Sequence, residues 1–527
     1  MNKIELGLSI ILLGTIIVGM KMTPAGKKLT PPQAHKIPKD VTVHHDTRID
    51  DYYWLKERDT QPVLDYLKAE NDYTFAKMKH TELLQKTLYN EMRGRIKEDD
   101  TTVPYKFGNY MYYTRTEEDL QYDIYCRKLG NSSGDEEITL NMNEMAKKHD
   151  YIDLSAYKIS PNEKLLALTI DTSGAELHKL IVKDIKTGEI LDDNLSNLDG
   201  SVEWANDNKT LFYTVLDKAH RSFQLWRHEL GNEQSDDVLV FQEDDDRFSV
   251  GLHRTKSGEF LKMDLESQIT TEVYLLDRND PFGEWKLVQP REQGIEYYVY
   301  HRGDYLYQIT NKDAINFKMI RTTLKGGKED EIIPNRDKTT IDDVSMFKNH
   351  MAVLERVNGN LEIRLFNFED ESWYKIEMNE DIYSLTFEEN YDWNSDFFRF
   401  GYGSFKTPYC VYDIDFKNHK NTLRKKEEIL GGYESDNYVS ERIWAPTHDG
   451  KKLAITLLYK KGIDLKGNNP CFLWGYGSYG ATYDPWFSSN IFSLVNRGMV
   501  YARAHIRGSS FMGRKWYLDG KLKQKKN

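Results

Sequence analysis

The sequence holds only three cysteines in 527 residues, Cys126, Cys410 and Cys471, which lie far apart and without any C-x-x-C spacing. That excludes a disulfide framework and a zinc-knuckle scaffold. An excess of positive charge is lacking too: 72 Lys and Arg against 84 Asp and Glu leave a formal charge of -12. Without a basic field the chain cannot hold a nucleic-acid backbone by counterion release, so no nucleic acid is expected as a partner. Long apolar runs are scarce. With 30% charged and 39% hydrophobic residues, the chain is too polar to cross a membrane many times, yet apolar enough for sizeable cores. What it does have is aromatic side chains, 13% of the total with 34 Tyr. These suit a pleated, half-buried surface and point to a β-rich body.

The one apolar run is Leu6 to Met20, uncharged throughout and preceded by Lys3 and Glu5. It is short for a bilayer and has the length of a signal-peptide core, although no A-x-A site follows. Residues 1–22 are therefore expected to be a signal peptide or membrane anchor, with membrane attachment through residues 4–20. An exported (periplasmic) or anchored protein follows from that. Residues 23–34, with Pro31 and Pro32 adjacent, form an extended linker. Residues 35–80 read as a helical lead-in, since Tyr53, Leu64, Leu67, Tyr73 and Met78 recur at amphipathic spacing and the pattern runs on to about residue 95.

From Tyr105 the period shortens to alternating runs parted by Gly, Asn, Asp and Lys turns. Seven such units begin near Tyr105, Tyr157, Val202, Val250, Tyr297, Val344 and Leu385, spaced 52, 45, 48, 47, 47 and 41 residues apart. Propeller blades repeat at about 40 to 50 residues. Residues 81–432 are accordingly expected to form a seven-bladed β-propeller; a two-sheet sandwich would leave the regular period unexplained. After Gly431 and Gly432 two strands flank the turn His448-Asp449-Gly450. An apolar strand follows from Cys471 to Trp474, then the turn GYGSYG, a helix from about Phe487 to Arg497, and a strand from Met499. Strand, crossover and strand mark a parallel α/β sheet with a right-handed connection. The fold class is thus mainly β plus partial α/β: a seven-bladed propeller with an incomplete α/β-hydrolase domain over 433–527, expected to be truncated.

The segments RIDDYYWL (48–55), SERIWAPTHDG (440–450), WGYGSYGATYDPWFS (474–488) and LVNRGMVYARAHIRGSSFMGRKWYLDGKLKQKKN (494–527) resemble the prolyl oligopeptidase family of serine peptidases. Within it they are most similar to the oligopeptidase B branch, which cleaves short peptides after Arg or Lys. The resemblance implies a propeller capping an α/β-hydrolase domain whose first strands come partly from the N-terminal segment. It implies that the Gly475-Tyr476-Gly477 turn offers the Tyr476 hydroxyl to an oxyanion hole. It also shows a departure: where the family has Arg-Gly-Gly, this chain has Arg507-Gly508-Ser509-Ser510-Phe511, and Ser lacks the free positive φ of Gly.

A hydrolase of this type orders its triad as Ser, then Asp or Glu, then His, with Ser on a G-x-S-x-G elbow between strand and helix. No such elbow is found, and nucleophile, acid and base are expected to lie outside these residues. Ser478, in Tyr476-Gly477-Ser478-Tyr479-Gly480, reads as a turn residue. His505 precedes any nucleophile and reads as structural. His44-His45-Asp46 lacks a third ligand, the acidic run Glu243 to Asp246 reads as a solvated inter-blade loop, and Tyr402-Gly403-Ser404 as strand plus turn. Neither metal nor cofactor is expected. Three readings stay open. The chain is the N-terminal part of a basic-residue-specific oligopeptidase, inactive alone and completed by a separate C-terminal fragment; or a non-catalytic propeller module, exported or anchored, that binds peptides or proteins; or a gene remnant.

Overall fold

The computed structural model describes residues 29–130 and 134–526, so the expected signal or anchor at 1–22 lies outside the described residues. Among the described residues no helix is long and apolar enough to cross a membrane. The chain divides into two compact units, one ending at Arg95 and one starting at Ile96.

The first unit contains a hairpin that the helical reading did not foresee. Strands Lys39–Val43 and Asp46–Asp50 pair antiparallel with Val43 opposite Asp46. The link is a two-residue turn of His44 and His45, both at positive φ (51° and 64°). Primed turns match the twist of hairpin strands and usually recruit Asn-Gly; a His-His pair gives no such cue. Helices α1 (Gln61–Met78) and α2 (Glu82–Arg93) follow. Pro62 stands in the first turn of α1, where no backbone N–H is needed. The expected propeller boundary at 81 thus falls just before α2, and the first blade strand begins at Asp100.

In the second unit the alternating runs become four-stranded antiparallel meanders. Their first strands are Tyr105–Phe107, Asp153–Ile159, Leu195–Trp204, Ser249–Arg254, Tyr297–Arg302, Thr339–Met346 and Ser384–Phe387, opening blades 1 to 7. Blade 1 gains the short strand Asp100–Thr101, and the fourth element of blade 2 shrinks to a bridge between Lys183 and Ile190. Blades 2 and 3 are fused: the third strand of one, His178–Asp184, pairs with the first of the other, giving one seven-stranded sheet. Several second strands are almost wholly buried, as in Leu165–Asp171 and His350–Val357, whereas that of blade 1, Tyr110–Thr116, is mostly half-buried. Successive blades pack face to face through shared apolar clusters, such as Phe212 and Leu225 of blade 3 with Val250 and Leu261 of blade 4.

The seam between blades 7 and 1 is more polar. Lys425 pairs with Asp100 at 2.6 Å and Lys106 with Asp392 at 3.0 Å. The Arg399 guanidinium, bound to Asp413, donates to the Pro104 carbonyl at 2.7 Å. The blades therefore close into a ring.

The last 90 residues build a four-stranded sheet from Tyr438–Pro446, Lys452–Lys460, Cys471–Gly475 and Val500–Ala504. In spatial order these are first, second, fourth and third, with only the last pair parallel, Cys471 opposite Val500. The crossover helix is shorter than expected: a 3-10 turn at Ser489–Ile491 and an α-turn at Phe492–Val495. Ser488, Ser489 and Asn490 are poor helix formers, which shortens the helix at its start.

Candidate active site at the tyrosine turn

Parallel strands Cys471–Gly475 and Val500–Ala504 end on the same side of the sheet, the side at which open α/β sheets bind ligands. The turn Gly475 to Gly480 leaves from that end. Gly477 lies against the Arg507 carbonyl and Ile506, with no room for a Cβ. Tyr479 and Gly480 take positive φ (58° and 77°), and the Gly480 N–H donates to the Gly508 carbonyl at 2.9 Å. In return the Ser510 N–H donates to the Gly480 carbonyl at 2.9 Å.

This second loop is the one in which Ser replaces the family's glycine. Gly508 carries the positive φ (93°) and is wedged against Gly477 and Gly520. Ser509 is not in the left-handed region; its hydroxyl donates to the Ile506 carbonyl at 2.8 Å. The substitution therefore leaves the loop unstrained. Arg507 clamps its base, binding both oxygens of Asp449 at 2.6 and 3.1 Å, and this holds the Asp449 carboxyl well below the usual range.

Tyr476 stands at the lip of the turn, 38% exposed, with its ring edge-on to Tyr483 at 5.4 Å. Tyr483 in turn meets Trp474 edge-on at 4.7 Å. The aromatic file fixes the ring while leaving part of it open. Ser478 faces Lys525, whose ammonium donates to its hydroxyl at 3.0 Å and also to the Gly477 carbonyl.

Behind the turn lies a buried polar cluster. From the second strand of blade 6, Arg356 grips Asp484 through two bonds of 2.7 and 3.0 Å and Asp342 at 2.8 Å. Burial opposes the Arg356 charge, but Asp484 and then Asp342 outweigh it and raise its pKa. Arg442 donates to Asn360 at 2.7 Å, and Arg503 to the Asp484 carbonyl at 2.5 Å. His505 is 3% exposed, stacked on Phe511 at 3.7 Å, with Nε2 at 2.8 Å from Thr456 Oγ1. Burial, reinforced by Arg442, Arg503 and Arg356, pushes its pKa down to about 3. It stays neutral at any working pH, in keeping with a structural role. Phe511 also lies against Gly359 of blade 6, where a Cβ would collide with the ring.

The other sequence-selected residues fall elsewhere. His44 and His45 form the hairpin turn, and no His, Cys, Asp and Glu group among the described residues could hold a metal. Glu243 to Asp246 does link blades 3 and 4, but Glu243 is buried against Arg291 at 2.6 Å and Asp245 is paired with Arg247 at 2.6 Å, so the run is less solvated than expected. Arg291, 48 residues on, is the partner that local sequence could not reveal. Tyr402-Gly403 ends a strand, and Ser404 donates to Glu380 at 3.0 Å. A further five-residue match to G-x-S-x-G stands at Gly130 to Gly134. It joins two strands of blade 1, Ile124–Leu129 and Glu137–Asn141, instead of a strand and a helix, so it is no nucleophile elbow.

Residues 32–427 match the prolyl oligopeptidase N-terminal β-propeller domain and residues 485–527 the prolyl oligopeptidase family domain. Dipeptidyl aminopeptidase BI of Pseudoxanthomonas mexicana is 35% identical over 98% of this chain and 75% of its own length. Protease 2 of Moraxella lacunata is 32% identical over 94% and 73%. Oligopeptidase B from Leishmania major superposes with a TM-score of 0.89 at 30% identity, covering 95% of this chain and 75% of that one. Propeller, sheet and tyrosine turn together place the chain in the prolyl oligopeptidase family.

Proposed function

We propose that the chain supplies the propeller and the leading sheet of a serine peptidase that hydrolyses short peptides after Arg or Lys, in the manner of oligopeptidase B. The observation that carries this reading is the Tyr476 turn, held by its own backbone bonds at the end of the parallel strand pair. In the proposed reaction a serine hydroxyl attacks the scissile carbonyl while a histidine takes its proton, and the Tyr476 hydroxyl donates to the developing oxyanion. The histidine then protonates the leaving amine, and water releases the acyl group by the reverse relay. The 527 residues carry the oxyanion donor. Nucleophile, acid and base would come from a further polypeptide segment with a strand-to-helix G-x-S-x-G elbow.

The test is hydrolysis of amino-blocked Arg and Lys peptides and labelling by a serine-directed phosphonate. The purified chain alone is expected to do neither. Mixed with a separately expressed segment bearing elbow, Asp and His, it should turn over. Tyr476→Phe should then slow turnover by about 10² or more, as loss of one oxyanion donor does elsewhere. Labelling of the chain alone that disappears with Ser478→Ala would overturn this assignment and make Ser478 the nucleophile. Failure of every mixture to turn over, with peptide still bound, would leave the propeller as a binding module.

A further inference from the structure

The Tyr476 turn rests on a stack of three backbone segments that meet through glycines. A Cβ on Gly477 would strike the Arg507 carbonyl at 2.3 Å, one on Gly508 the Gly477 carbonyl at 2.1 Å, and one on Gly520 the Gly508 nitrogen at 2.2 Å. The segments therefore lie backbone against backbone. Such closeness demands glycine, and glycine leaves its own backbone bonds free to turn. Tyr476 is thus followed directly by a residue that cannot hold the chain in place by itself.

Strand pairing anchors the turn up to Gly475, opposite Ala504, and the bonds that Gly480 exchanges with Gly508 and Ser510 anchor its far end. Between these anchors the Gly477 carbonyl is met by a side chain. Lys525, just past the 3-10 turn Leu522–Gln524, folds back to donate its ammonium to that carbonyl and, at 3.0 Å, to the Ser478 hydroxyl. Other basic residues around the stack are engaged elsewhere: Lys451 and Lys515 with Asp519 at 2.8 and 3.2 Å, Arg507 with Asp449, and Lys521 over the Tyr517 ring at 4.9 Å. We propose that Lys525 is a positioning residue for the oxyanion donor: by pinning the Gly477 carbonyl it fixes the peptide plane beside Tyr476, and with it the direction of the phenol.

The catalytic meaning of this pin rests on the peptidase reading given above; the pinning of the turn does not. A donor aimed in advance needs no reorganisation when charge develops on the substrate oxygen, and that is where its advantage lies. Loss of the pin would leave a carbonyl and a hydroxyl that water can satisfy. The fold should therefore survive while the aim of the phenol is lost.

The aim is read on the chain alone, by Tyr476→3-fluorotyrosine and the fluorine resonance of that ring. Lys525→Met should shift or broaden the resonance and Lys525→Arg should restore it, whereas Lys523→Met, which removes a neighbouring charge, should leave it unmoved. Lys525→Ala repeats the test in case the methionine variant folds poorly, with folding checked by circular dichroism. With the complementing segment added, Lys525→Met should lower kcat about tenfold with KM little changed, part of the ~10² carried by the donor itself. In a Tyr476→Phe background the same change should cost almost nothing, because the group being aimed is gone; a merely structural lysine would cost the same in both. An unmoved resonance in both Lys525→Met and Lys525→Ala, or an equal loss of kcat in the two backgrounds, would overturn the proposal. Failure of every mixture to turn over, with the fluorine shift present, would defeat the peptidase reading and leave the pin standing.

Discussion

At the scale of single residues, His228 shows how much charge a blade can hide. It is fully buried in blade 3, with Nδ1 2.6 Å from Asp237 and Nε2 3.1 Å from Asp193. Tyr213 donates to the same Asp237 at 2.7 Å. Both ring nitrogens face carboxylates, an arrangement that favours the doubly protonated imidazole. Burial pulls its pKa down, but the bonds and charges of Asp237 and then Asp193 outweigh it, and the folded pKa lies above the ordinary one. Its stabilising contribution is therefore complete below the unfolded imidazole pKa and is lost as pH rises through the folded value. His228→Asn should cost on the order of 3 kcal/mol in acid, because two buried carboxylates lose their cation. The gap from wild type should narrow at alkaline pH, as urea titrations at both ends of the range would record. An equal gap throughout would mean a neutral imidazole. Nothing in the sequence marks this triad, since its carboxylates stand 9 and 35 residues away on other segments. Tyr476 was legible only because its glycine neighbours form a motif.

At the scale of elements, local chemistry decided what could be read. The strand pair around His448-Asp449-Gly450 and the parallel pair beyond it follow from alternation and turn residues that act at short range. The His44-His45 hairpin does not, because two histidines at positive φ override their own preference. In the loop after Ala504, sequence comparison placed the strain at Ser509, whereas the backbone places it at Gly508. Gly508→Ala should therefore cost about 1–3 kcal/mol, while Ser509→Gly gains nothing. Urea midpoints would measure both, and faster hydrogen exchange at Gly480, whose N–H rests on the Gly508 carbonyl, would locate the damage. Unchanged exchange there in the alanine variant would separate the two loops.

At the scale of the whole molecule, the repeat was visible because each blade reuses one pattern: expected starts at Val250, Tyr297 and Leu385 meet strands that begin at Ser249, Tyr297 and Ser384. How the ring closes was not visible, since Arg399 meets Pro104 across 295 residues. Arg399→Met would leave the buried Asp413 carboxylate with only the longer contact to Arg424 at 3.4 Å and would orphan the Pro104 carbonyl, a loss of roughly 2–3 kcal/mol. Limited proteolysis should then cut first near residues 100–107; cuts beginning at another blade boundary would show that the seam is not the weak point. Elsewhere the blades meet through side chains and isolated backbone bonds, such as Asn206 N–H to the Arg278 carbonyl at 2.8 Å and Lys348 N–H to the Trp393 carbonyl at 3.0 Å, and only one pair shares a strand ladder. Blades 2 and 3 share backbone hydrogen bonds, so the seven repeats make only six separate sheets. An evolutionary unit and a mechanical unit therefore differ here: those two blades must melt as a pair, and any flexing of the ring has to hinge at the other six junctions.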